Sequence, residues 1–123
     1  MNVDFADEEM IAYRESLIEK KKEPLRKVLV SGNGRCNFTN LTLHENCYHS
    51  ENSNLVYQFA KEHSGIHLMN YFQELGMRIW EKDGYCYPYT NQGKTVVTLL
   101  KETAVQYGVH LILDRIVQSI KKE

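Results

Sequence analysis

The residue types most able to do chemistry are concentrated in Ser31-Gly32-Asn33-Gly34-Arg35-Cys36-Asn37-Phe38-Thr39-Asn40. Gly32-Asn33-Gly34 opens backbone conformations closed to most residues and lets the main chain approach a ligand closely. Successive amides in such a turn can cradle a phosphate or a ring carbonyl, and Arg35 adds a planar cation of fixed geometry. The same residues also make an ordinary Gly-rich turn, which is the favoured reading of the motif alone. The stretch is not a dinucleotide fingerprint: after Gly32 and Gly34 the third glycine belongs at position 37, where Asn37 stands. It is not a P-loop either, because no Gly-Lys-Ser/Thr closes it.

Cys36, His44, Cys47 and His49 invite a zinc reading. Their spacing argues against it, since structural zinc ligands come in pairs with two to four residues between them, and here only Cys47 and His49 lie close. Cys36 as a nucleophile needs a base that the sequence does not place, so a buried structural thiol is the simpler reading. Tyr85-Cys86-Tyr87-Pro88-Tyr89-Thr90-Asn91-Gln92 clusters aromatics ahead of a helix start. It is either a wall for a planar ligand, with Asn91 and Gln92 as hydrogen-bond donors, or a hairpin strand packed on a core. His63 and His67 read as surface residues.

The elements that must hold these residues belong to one domain-sized chain of 123 residues. A hydrophobic share of 42% is enough for a core, and the net charge of −1 comes from intermixed acids and bases. That balance removes the electrostatic case for a nucleic-acid binder. Three cysteines are an odd, sparse set, so a reducing cytoplasm is expected rather than a disulfide framework. The acidic N-terminus has no apolar h-region, and no run approaches the roughly 20 residues of a membrane span.

Residues 4–14 read as an acidic helix capped by Asp4. Ser16-Leu17-Ile18 either extends that helix or forms a strand, and Lys20 to Pro24 is a loop. Lys27 to Val30 has strand propensity. Ser31 to Asn54 reads as loop with one short element. Helical spacing predicts Asn54–His63 and Ile66–Leu75, separated by Gly65 and closed by Gly76. Gly76 to Tyr89 reads as a hairpin turning at Lys82-Asp83-Gly84. A helix over 92–107, with Thr90 or Asn91 as its cap, stops at Gly108. A strand over 109–113 follows, then a second candidate strand over 116–120. Mixed α and β order of this kind is α/β to α+β.

Several motifs in one order give a resemblance. Leu17-Ile18-Glu19-Lys20, then Lys27-Val28-Leu29-Val30 running into the Ser31–Asn40 signature, then Phe72-Gln73-Glu74-Leu75-Gly76, then Gly84 to Gln92, resemble the BaiN-like family. This family, also called aminoacetone-oxidase-like or RsdA-type, comprises FAD-dependent oxidoreductases that use NAD(P) and FAD. Thr90 and Gly93 replace its usual Ser and Ala. The resemblance covers about residues 17–120.

The resemblance implies a partial FAD-binding Rossmann-like domain followed by a helical and hairpin segment. Glu19 matches the acidic position that holds the adenosine ribose, and Ser16 to Ile18 becomes the second strand. Glu19, Lys20, Ser31, Gly32, Gly34, Arg35, Cys36 and Asn37 become the expected FAD contacts, with no metal and no catalytic residue assigned. A dinucleotide fingerprint starts about 20 residues before its acidic position, whereas the 18 residues before Glu19 contain no glycine. The expectation is therefore an internal piece of a flavoprotein, truncated at both ends relative to the family. Its segments are a non-family helix over 1–15, an FAD-loop region over 16–54, and helices, hairpin, helix and strand over 55–123. The parent would move electrons or hydride between a nicotinamide or organic substrate and FAD, and this chain would not work as an enzyme alone. The competing expectation is a non-enzymatic α+β interaction module that pairs with another chain through an exposed sheet edge.

Overall fold

The structure, a computed structural model, describes residues 16–122. The helix expected over 4–14 lies outside them. The chain divides into two compact units. One takes in the described residues to Arg26 together with those from Val97 onward, and the other runs from Lys27 to Val96.

The first unit is organised by a two-stranded parallel ladder. β1 (Ser16–Ile18) pairs with β5 (His110–Ile112), Leu17 opposite Leu111. Parallel strands need a long crossover between them, and here more than ninety residues of chain intervene. The ladder continues past the strand ends. Glu19 N–H donates to Ile112 O at 2.9 Å, Arg115 N–H to Glu19 O at 3.1 Å and Asp114 N–H to Lys21 O at 3.0 Å. Residues 116–120 do not form the second strand expected there; only Ser119 makes a bridge. The charged Asp114-Arg115 turn, with Asp114 at φ 56°, ends the extended run.

The second unit is built on a three-stranded antiparallel sheet in the order β2 (Thr39–Asn40), β4 (Tyr85–Pro88), β3 (Ile79–Lys82). Asp83 and Gly84 form its two-residue hairpin turn, both at positive φ, the geometry that suits the right-handed twist of the strands. A two-residue turn dictates register, so Trp80 stands opposite Tyr87 and Ile79 opposite Pro88. Cys86 and Pro88 point into the core and Tyr85 outward, the alternation of a half-buried strand.

Lys27 to Val30 is not a strand. It forms α1 (Arg26–Val30), which passes directly into a 3₁₀ turn at Ser31–Gly34. β propensity in four residues yields to a single helical turn, closed by the Ser31 hydroxyl donating to Val28 O at 2.9 Å before the backbone turns left-handed at Gly32. The expected helices are present as α2 (Ser53–Glu62) and α3 (Gly65–Glu74). Asn52 caps α2 by accepting from Leu55 N–H at 3.3 Å. Gly65 does not separate the helices but is the first residue of α3. A Cβ there would lie 2.6 Å from Asn40 O, so the glycine lets the helix start sit against β2. α3 ends in a Schellman motif, with Gly76 N–H donating to Gln73 O and Met77 N–H to Phe72 O. Phe72 and Met77, the pair such an end brings together, are both buried. α4 (Gly93–Gln106) begins two residues beyond Asn91, with Thr90 Oγ1 accepting from Gln92 N–H. It closes in the same way as α3, through Gly108 N–H to Val105 O and Val109 N–H to Ala104 O. None of the described helices is long and apolar enough to cross a membrane.

Candidate functional site

Seven residues of the Ser31–Asn40 stretch form one tightly wound loop. Gly32 (φ 56°, ψ 39°) and Asn33 (φ 56°, ψ 41°) are consecutive left-handed residues, and Gly34 and Cys36 also have positive φ, at 83° and 58°. Asparagine tolerates this region better than most side chains. Gly32 is required: a Cβ on it would lie 2.6 Å from Asn37 N. The loop closes on itself through Arg35 N–H to Gly32 O at 3.2 Å and Cys36 N–H to Ser31 O at 3.0 Å.

The hairpin braces this loop. Phe38 N–H donates to Cys86 O at 3.1 Å. The Asn37 side-chain amide donates to the same carbonyl at 3.1 Å and to Thr39 O at 2.8 Å. Cys36 is only 4% exposed, so contact with a ligand at this position falls to its backbone. Gly32, Asn33 and Arg35 are exposed. The Arg35 guanidinium carbon lies 4.9 Å from the Tyr87 ring centroid, and Nε donates to Gly32 O at 3.4 Å. Among the described residues no carboxylate pairs with this arginine. Tyr87 is in turn stacked on Trp80, with centroids 4.9 Å apart and planes 19° off parallel. The Trp80 indole N–H donates to Asn91 Oδ1 at 2.8 Å.

Of the two readings its sequence left open, the Tyr85–Gln92 segment takes the hairpin one: Cys86 and Pro88 pack into the core, and the Asn91 side-chain oxygen is taken by the Trp80 indole N–H. Cys86 is fully buried, with its thiol pKa raised first by desolvation and then by the nearby Glu81 carboxylate. Tyr87 serves as a platform for the loop arginine. The sequence reading misses this role: it takes Lys82-Asp83-Gly84 as the turn, whereas Lys82 belongs to β3 and the two-residue turn pairs Trp80 with Tyr87.

Glu19 and Lys20 belong to the other compact unit and are described by themselves. Glu19 is half-buried at the carboxyl end of β1, and its Oε1 accepts from Lys21 N–H at 2.9 Å. Lys20 is exposed beside it. The zinc candidates are not brought together: His44, Cys47 and His49 are exposed while Cys36 is buried. Among the described residues no group of three or more His, Cys, Asp or Glu is placed to hold a metal. His63 and His67 are exposed, the former against the Phe59 ring.

A cleft of about 450 Å³ lies elsewhere in the second unit, between β2 and the α2–α3 junction, with Tyr48, Tyr57, Lys61 and His63 among its walls. None of the expected site residues lines it.

Comparison with known proteins agrees with the motif order. A family model described as the HI0933-like protein Rossmann domain matches residues 7–123. A 3-dehydro-bile acid delta(4,6)-reductase of Clostridium scindens is 30% identical over 105 residues, covering 85% of this chain and 26% of the reductase. A ribosomal RNA dihydrouridine synthase of Haemophilus influenzae is 26% identical over 107 residues, 87% of this chain and 27% of the synthase. The synthase of the same name from Escherichia coli is 56% identical over 36 residues, covering 29% of this chain and 9% of the enzyme. The chain therefore spans about a quarter of the length of the relatives it matches most fully.

Proposed function

We propose, from the premise that this chain belongs to the HI0933-like Rossmann-domain family, that it is a cofactor-contacting part of an FAD-dependent oxidoreductase. The observation that carries this reading is the Ser31–Asn37 loop: exposed left-handed backbone beside an exposed arginine that no described carboxylate neutralises. A solvent-facing guanidinium held by an aromatic ring is suited to an anionic oxygen, and Gly32 leaves no side chain between the main chain and a ligand.

FAD, when bound, supplies the hydride or single-electron chemistry between a nicotinamide or organic substrate and itself. The loop residues fit that group. In the first unit, taken by itself, Glu19 follows β1 at its carboxyl end, the kind of position at which parallel-strand folds take ribose hydroxyls. Lys20 lies next to it as a surface cation. Gly32 and Gly34 let the backbone approach, and Arg35 neutralises charge. Ser31 and Asn37 hold the loop through internal hydrogen bonds, and Cys36 anchors it from the core side.

Arg35→Ala tests the reading in this chain. If the loop contacts FAD, the dissociation constant rises by roughly ten-fold, the ordinary cost of about 1.4 kcal/mol for one charge-assisted contact. Equal affinity of the two proteins would refute it.

The relatives' names bear on substrate. Two are ribosomal RNA dihydrouridine synthases and one acts on a 3-dehydro bile acid. The expectation of no nucleic-acid partner, drawn from a net charge of −1, is therefore withdrawn: that charge belongs to about a quarter of such a protein's length.

A second reading, a protein-interaction module, draws on α2. Leu55 and Phe59 lie one turn apart on one face and are 60% and 65% exposed. Concentration-dependent association that Phe59→Ser abolishes would favour it.

A further inference from the structure

The contacts under Arg35 extend beyond the loop that carries it. Four residues form a continuous chain: Arg35 on Tyr87, Tyr87 on Trp80, and Trp80 bonded to Asn91. All four lie in one compact unit. Tyr87 is half-buried and its ring is nearly parallel to that of Trp80, so the tryptophan fixes the tyrosine's plane. Asn91 in turn fixes the tryptophan. It is itself held at φ 56°, with its own N–H donating to Pro88 O at 2.9 Å. At its loop end, Arg35 is tied by Nε to Gly32 O, which occupies one donor and leaves both Nη groups without a partner among the described residues.

We infer that Tyr87, backed by Trp80 and Asn91, is a positioning residue that presets the Arg35 guanidinium for an anionic group. The inference rests on the cofactor reading above only for the identity of that group. Physically, an arginine free in solvent must give up rotamer freedom when it grips a ligand, and long side chains lose the most. A ring face that already holds the guanidinium removes part of that loss and adds a cation–π attraction. The hairpin supplies rigidity, because the two-residue turn locks Trp80 opposite Tyr87. None of Tyr87, Trp80 or Asn91 need touch the ligand for this to work.

The test uses the full chain with Tyr87→Leu, Tyr87→Phe and Asn91→Gly. Two readouts are taken: the Arg35 Nε–Hε resonance, which senses the ring current of Tyr87, and the FAD dissociation constant. Tyr87→Phe keeps the ring face and should preserve both. Tyr87→Leu should move the resonance to its random-coil position and weaken FAD by about two- to five-fold, the range of an exposed cation–π contact. In an Arg35→Ala background the same change should have no further effect on FAD.

Asn91→Gly tolerates the positive φ and removes only the acceptor for Trp80. It should shift the Trp80 indole N–H and, by a smaller amount, the Arg35 signal. It thereby supplies the answer if Tyr87→Leu does not fold. An Arg35 resonance unchanged in folded Tyr87→Leu, or in Asn91→Gly when the leucine variant does not fold, overturns the inference. So does full FAD affinity in folded Tyr87→Leu when Arg35→Ala binds weakly. If Arg35→Ala binds FAD as well as the parent chain, the cofactor reading fails, and the resonance still decides whether Tyr87 positions the arginine.

Discussion

Replacing Gly32 by alanine should be among the most costly single-methyl changes in the second unit. The magnitude has three parts. A left-handed conformation costs an L-residue roughly 1–2 kcal/mol, and Gly32 sits at φ 56°. The new Cβ would lie 2.6 Å from Asn37 N and 3.3 Å from Asn37 Cβ. The first of these atoms is backbone, so the loop itself must move. Asn37 and Phe38 are tied to Cys86 O and Thr39 O, so that movement loosens contacts to the hairpin. Forced repacking of this kind costs about 1–3 kcal/mol. Reduced freedom of the unfolded chain returns about 0.4–1 kcal/mol. The net expectation is a loss of about 1–4.5 kcal/mol, centred near 3.

Gly34→Ala is the internal control. It also has positive φ, at 83°, but the atom nearest to a Cβ there would be Leu29 O at 3.8 Å, an ordinary contact. Only the conformational part applies, so its loss should be about 0–1.5 kcal/mol. Urea unfolding followed by the fluorescence of Trp80, the chain's one tryptophan, measures both, with unchanged m-values as the check on two-state behaviour. Equal costs for the two substitutions, or a Gly32→Ala loss below about 1 kcal/mol, would show that the Gly32–Asn37 approach does not constrain the loop.

Two further outcomes follow from the same contacts. Gly65→Ala replaces the first residue of a helix, a change that by propensity alone stabilises by at most about 1 kcal/mol. Because the Cβ would meet Asn40 O at 2.6 Å, the urea midpoint should instead fall, and a rise would refute the close approach of α3 to β2. Cys86 makes stability depend on pH. Its folded pKa is raised by desolvation and by Glu81, so above the unfolded thiol's range, near 8.5, the native state retains a proton that the unfolded state loses. Stability from this group is full below that range and declines as pH rises towards the folded pKa. Urea midpoints between pH 7.5 and 9.5, on the approximate thiol scale, should fall more steeply for the parent chain than for Cys86→Ala. Parallel slopes would contradict the assignment.

Much of the hairpin was legible because its information is local. The local pattern places the turn at Lys82-Asp83-Gly84, one residue too long: Lys82 pairs with Tyr85, and the two-residue Asp83-Gly84 turn sets the register. Helices α2, α3 and α4 were legible for a similar reason, through apolar spacing and, for α3 and α4, the glycines that terminate them. Lys27–Val30 was misread because four β-prone residues carry no periodicity of their own. They form one helical turn that ends where the backbone goes left-handed at Gly32, and they lie where Gly93 approaches Val28 O and Leu29. The strand expected over 116–120 has the same weakness, a short apolar run with no partner that sequence can name.

For the site, residue types identified the loop but not its support. That Arg35 rests on Tyr87 depends on a contact between residues 52 positions apart. Local pattern carries no such distance information. Glu19 entered the expected set only through the family resemblance, and the parallel pairing of β1 with β5 puts it at a strand's carboxyl end.

The central claim, that the Ser31–Asn37 loop is a cofactor contact, is tested most directly by titrating FAD into the isotope-labelled chain and following the backbone amides and the Arg35 Nε–H. The account predicts saturable shifts at Gly32, Asn33, Gly34 and Arg35, and a melting temperature that rises with ligand concentration. A folded chain whose loop resonances stay in place at millimolar-order FAD, about the weak limit of specific binding, would contradict it.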